Sequence, residues 1–154
     1  MDSLLRHTLA TLAYRLGKVL RDAPAEFESY QASPGARTPV EILAHIGDLM
    51  EWALTMAEGR PAWHDSAPLP WPREVARFFQ AIQALDARIA ASGLESGQAA
   101  GLFQGPIADA LTHTGQLAML RRMAGSPMKG ENYFMAEIVA GRLGPDQAPP
   151  RREF

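Results

Sequence analysis

The quartet Thr38-Pro39-Val40-Glu41 opens a helix at a fixed point in the chain. A threonine followed by proline, with glutamate three residues on, is a capping box whose proline sits in the first turn, where its missing N–H costs nothing. From this start Ile42, Leu43, Ile46, Leu49, Met50, Ala53, Leu54 and Ala57 recur at three- and four-residue spacing as one broad apolar stripe. Glu58-Gly59-Arg60-Pro61 ends it, with glycine as terminator and proline beyond. Asp48 and Glu51 are expected to face away from the stripe. His45 falls at its edge, beside Trp52 and Met56.

Three further stretches repeat the pattern. Leu5, Leu9, Leu12, Leu16, Val19 and Leu20 predict a helix from about Ser3, its expected cap, to Arg21. Pro24 interrupts any continuation toward Phe27 and Tyr30. Val75, Phe78, Phe79, Ile82, Leu85 and Ile89 predict a third helix over 73–92, stopped by Gly93. After a loop over 95–105, Pro106 opens a fourth helix that ends at Gly125. A short fifth helix is expected over 131–140, and the proline-rich tail from Gly144 is expected to be extended or disordered. No segment has the alternation of a strand, so the fold class is all-α, a single-domain four-helix bundle over 1–154. Residues 60–72 hold four prolines and two tryptophans. This crossover is long enough for the second and third helices to run in the same direction, giving up-down-down-up topology.

Composition narrows the chemistry. With no cysteine among 154 residues, disulfides, thiolate ligands and a cysteine nucleophile are excluded, and any metal is held by nitrogen and oxygen. A net charge of −2 provides no general field for nucleic acid. The N-terminus lacks a leader pattern and no apolar run is long enough for a membrane span, so a cytoplasmic location is expected.

The fourth helix carries polar groups where apolar ones belong. At roughly 100° per residue, His113 shares a face with Ala110, Leu117, Leu120 and Ala124, and Asp109 and Gln116 flank it. Thr114, Arg121 and Arg122 are expected to point elsewhere. Burying an unpaired polar side chain costs about 1–3 kcal/mol, so the trio is hydrogen-bonded internally, lines a cavity or binds metal. Asp109 and His113, four apart, can bond each other or grip one borderline divalent ion such as Zn²⁺, Ni²⁺ or Fe²⁺. His45 is the natural third ligand, or else a boundary histidine packed on Trp52. His7 reads as solvated, and His64 as a loop or lid residue. Trp63 and Trp71 either cover the core or shape one end of a pocket. A di-iron site is excluded, because Glu41 stands four residues before His45 rather than three and is needed by its capping box. There is no phosphate loop, and Ser66 and Ser126 lack the flanking motif of a nucleophile.

The segments Thr38-Pro-Val-Glu-Ile-Leu-Ala-His45-Ile-Gly-Asp-Leu-Met-Glu-Trp52 and Ala110-Leu-Thr-His113-Thr-Gly-Gln116-Leu-Ala-Met-Leu-Arg-Arg-Met-Ala-Gly125 resemble the DinB-like superfamily. The resemblance implies an up-down-down-up bundle, often dimeric, that binds Ni²⁺ or Zn²⁺ through one histidine on helix two and two on a later helix. His45 matches the first ligand and His113 the last. Asp109 replaces the middle histidine, and Thr114 stands where arginine is common, so the implied centre has two histidines and one carboxylate. Relatives include thiol-dependent S-transferases and a thiol-dependent isomerase. The implied activity is therefore transfer or hydrolysis on a small molecule, with a low-molecular-weight thiol as a possible cofactor and Gln116 orienting a bound group. The alternative is a non-catalytic stress-response protein that binds small molecules, or a dimeric scaffold meeting its partner through the crossover and Tyr133-Phe134.

Overall fold

Thr38 caps its helix as the sequence predicts. In the computed structural model, which describes residues 2–154, its Oγ1 accepts the Glu41 N–H at 3.4 Å while a Glu41 carboxylate oxygen accepts the Thr38 N–H at 2.7 Å. Helix α2 then spans Pro39–Ala57. Helix α1 covers Asp2–Leu20, so Ser3 lies inside the first turn instead of capping it. Asp22, at φ 55°, breaks the chain direction, and a 3₁₀ turn over Ala25–Ser29 seats Phe27 in the core. Helix α3, Trp71–Ser92, starts two residues before the predicted Arg73.

The expected loop over 95–105 is largely helical. Helix α4, Gln98–Leu102, passes through a π turn at Phe103–Ile107 into α5, Ala108–Met123. Pro106 lies inside that wide turn, where its absent N–H and its ring disfavour the ordinary i to i−4 bond. No strand is present among the described residues, and the chain is all-helical as predicted.

Apolar stripes from every long helix meet in one cluster, with Leu9, Leu12, Leu16, Leu43, Ile46, Met50, Phe78, Ile82 and Leu85 fully buried. Each such side chain contributes about 1.5–3 kcal/mol of transfer free energy. Arg6 grips Asp86 through two hydrogen bonds of 2.8 and 2.9 Å, joining α1 to α3. Arg77, early in α3, reaches the Ala44 carbonyl, Asp48 and Glu51 of α2, and farther along Arg88 and Ser92 share a cleft with Ala57 and Glu58. No helix is long and apolar enough to cross a membrane among the described residues.

Four expectations need correction. The fifth helix over 131–140 is reduced to a 3₁₀ turn at Tyr133–Met135. Its start is committed elsewhere: Glu131 turns inward to accept the Tyr14 hydroxyl and Lys18 ammonium at 2.7 Å each. The neighbouring backbone pairs with the tail, Asn132 N–H to Arg152 O and Phe154 N–H to Gly130 O, both 3.0 Å, so the tail runs extended. Asp48 is buried, because Arg77 and Ser66 meet it there. Thr114 is buried with its hydroxyl on the Ala110 carbonyl, and Arg121 is buried with its guanidinium on carbonyls at the end of α1. Helix α5 packs on both α1 and α2, and so buries more than one stripe.

Candidate metal centre

Two helices bring three donors to one point. His45 stands two turns into α2, Asp109 and His113 lie on adjacent turns at the start of α5, and one ligand atom from each falls within 4.8 Å of the others. His45 Nε2 is 3.5 Å from one Asp109 oxygen and His113 Nε2 is 3.4 Å from the other. These separations exceed the roughly 2.7–3.2 Å of an N–H···O hydrogen bond. The two histidines face different oxygens of the one carboxylate, and one donor atom from each of the three residues lies within 4.8 Å of the others, close enough for a single ion to be held among them after small side-chain adjustment. The imidazoles meet edge to face with centroids 4.9 Å apart. Both arrangements that the sequence left open, direct pairing of Asp109 with the imidazoles and shared gripping of one ion, are compatible with this spacing.

Gln116 is the hydrogen-bond partner of His113. Its Oε1 lies 2.7 Å from His113 Nδ1, and an amide oxygen only accepts, so Nδ1 carries the proton. Nε2 is the nitrogen that stands toward Asp109, and in the neutral ring with Nδ1 protonated it has the lone pair that a metal ligand requires. Exposure is graded across the trio, with 13% of the His113 side chain, 21% of His45 and 46% of Asp109 open to solvent. These residues can hold a metal ion and keep a face open to a second molecule.

The π turn and the crossover frame this centre. Gln104 and Gly105, released by the wide turn, line a cleft of about 430 Å³ together with Trp52 and Asp109. From the other side Trp63 packs edge-on against His45 at 5.7 Å and against Trp52 at 5.6 Å. Trp63 thus shapes the site. Trp71 instead packs on Phe27, at 5.6 Å, and covers core. His7 is exposed, as expected.

A second polar group escaped the sequence reading. Asp48, Glu51 and His64 also bring ligand-type atoms within 4.8 Å of one another, yet Arg77 lies among them. Its guanidinium bonds Asp48, Glu51 at 2.9 Å and the buried Glu74 at 3.1 Å, so a cation already fills the centre. His64 approaches Glu51 at 3.1 Å, and Asp48 accepts both the N–H (2.9 Å) and the hydroxyl (2.7 Å) of Ser66. The group is a latch that ties the crossover down and so sets Trp63 against His45. Burial pushes the Asp48 carboxyl up, but the two Ser66 bonds and Arg77 outweigh it and hold the group below the usual carboxylate range. Burial likewise opposes the charge of Arg77, and its bonds to Glu51 and Asp48 outweigh that, raising its proton affinity. The available signal was Glu74, four residues before Phe78 on the core face of α3, which demanded a buried cationic partner such as Arg77.

Comparison with protein-family models, curated proteins and solved structures yields no match.

Proposed function

We propose that this protein is a divalent-metal-dependent enzyme of the DinB-like kind, with His45, Asp109 and His113 as ligands for Ni²⁺ or Zn²⁺, and Fe²⁺ as a third candidate. The observation that carries it is the convergence of three N and O donors from two helices within 4.8 Å of one another. The up-down-down-up order is part of the same reading. It is supported by the early Arg77 on the middle of α2 and the late Arg88 beside the end of α2, a parallel pairing across the long crossover.

The substrate is a small molecule, and the reaction is thiol-dependent S-transfer or hydrolysis, with a low-molecular-weight thiol as co-reactant in the first case. Support for that class is the resemblance of the segments 38–52 and 110–125 to the DinB-like superfamily. A divalent ion there supplies Lewis acidity, which lowers the pKa of a thiol or water. Gln116 holds His113 in the ligating tautomer, the half-exposed Asp109 leaves an approach open, and Trp63, itself packed on Trp52, covers one side of His45. The proposed working form is a cytoplasmic homodimer.

Calorimetric titration of metal-free protein with Ni²⁺ and Zn²⁺ tests the premise. Wild type should bind one equivalent per chain, and the Asp109→Ala/His113→Ala variant none. Equal, negligible binding by both would end the metal reading. Elemental analysis of protein from cells grown without added nickel identifies the native ion.

One observation favours a second reading, a non-catalytic stress-response binding protein or dimeric scaffold with a structural Asp/His/Gln trio. The His113–Gln116 bond satisfies one ring nitrogen without any ion. On that reading the same double substitution alters stability or small-molecule binding and leaves metal content unchanged.

A further inference from the structure

Beside the trio, on the outer surface between α5 and the loop that leads into α2, lies a larger cleft of about 630 Å³. Met119 and Met123 form its exposed apolar wall, with 61% and 51% of their surfaces open. Gly115 forms part of the floor, and no atom lies within 4 Å of where its Cβ would stand. Thr112 and Gln116 supply neutral polar groups at the edge nearest the metal ligands, and Gln116 is the residue bonded to His113. Arg37 is the one charged residue of the lining. Arg37 is exposed and makes no ion pair or side-chain hydrogen bond among the described residues, although Glu41 is near enough to feel its charge, so the guanidinium can take a further anion.

A mostly apolar cleft of this size with a few placed polar groups has the make-up of a small-molecule site. Methionine walls adapt to varied apolar shapes. We propose that the cleft binds an amphipathic small molecule, its apolar body on Met119, Met123 and the Gly115 floor and its anionic end on Arg37. Binding there does not need the metal, whereas any reaction of the bound molecule rests on the function proposed above. Gln116 spans both places, so a ligand in the cleft reaches the trio at that residue.

The test titrates dodecanoate, dodecanol and dodecylammonium, each below its micelle-forming concentration, into metal-free protein and follows heat and sedimentation. Dodecanoate binds best. Arg37→Gln weakens it at least roughly tenfold, the loss expected for one hydrogen bond to a charged group, and leaves dodecanol unchanged. Gly115→Leu fills the cleft and abolishes binding of all three without lowering Tm, since glycine inside a helix is the poorer former. The Asp109→Ala/His113→Ala variant keeps dodecanoate binding, so failure of the metal reading and failure of this one are separate results. Equal affinity for the three ligands, or full binding by Gly115→Leu, would overturn the proposal. So would a wild-type dimer that binds no ligand and dissociates on Gly115→Leu, which would make a second copy the occupant.

Discussion

Gln116 Oε1 lies 2.7 Å from His113 Nδ1, one helical turn along α5. The bond determines which ring nitrogen faces Asp109, and it does so from a residue that touches none of the other donors. Outer partners of this kind are worth about 10- to 100-fold in metal affinity. Gln116→Leu should therefore weaken Zn²⁺ or Ni²⁺ binding by at least about tenfold in competition with a chromophoric chelator. Because Gln116 is exposed, helicity and Tm should not move. Unchanged affinity would show that the ring is oriented by packing on His45 alone.

Arg77 stands where three carboxylates converge, and two of them, Asp48 and Glu74, are buried. Removing the guanidinium leaves those charges facing one another with hydrogen-bond donors from Ser66 and Leu69 but without the cation between them, the costly half of a buried ion pair. Arg77→Met should destabilise the fold by about 3–5 kcal/mol in urea unfolding. Replacing Asp48 and Glu74 as well, with Leu and Gln, should recover most of the loss. A cost below about 1 kcal/mol for Arg77→Met would mean that the latch is solvated enough to be a surface pair.

The same latch sets a pH dependence. Asp48 has its folded pKa depressed, so its contribution is present above the unfolded value of about 3.9 and is lost as pH falls toward the lower folded one. Asp48→Asn lacks that term. Its unfolding free energy should lie below wild type at neutral pH, and the two should converge as the solution is acidified from about pH 5 to pH 3. A gap that stays constant over that range would remove Asp48 from the acid transition.

What was legible in the sequence was local. Thr38 and Glu41 are three residues apart, so their capping box could be read directly, and Asp109 and His113 share a face through helical geometry alone. What was not legible depended on distant partners. Glu131 bonds Tyr14, 117 residues away, and that contact displaces the helix its own neighbourhood favours. Asp48 looked solvent-facing because a single stripe leaves the opposite side to water, and only the crossover folding back over α2 encloses it. The approach of His45 to Asp109 was read from its place at the stripe edge, a weaker signal that required a second helix to supply the rest.

Arg121 is the sharpest case of burial set from afar, and its chemistry can be separated from its charge. The guanidinium donates to Val19 O at 2.9 Å and Arg21 O at 2.8 Å, closing the carbonyl end of α1, and to Ser126 O at 2.8 Å just past the end of α5. Burial lowers its proton affinity, with Asp22 opposing, yet the group stays charged and all its bonds are to carbonyls. A planar fork can reach three carbonyls on two elements at once, and an ammonium cannot. Arg121→Lys should therefore lose about 1–3 kcal/mol despite keeping the charge, and Arg121→Met more, as the buried acceptors are left unpaired. Hydrogen exchange should locate the damage at the C-terminal turn of α1 and at residues 121–126. Full stability in Arg121→Lys would mean that the positive charge at the end of α1, rather than the geometry of the fork, holds the two helices together.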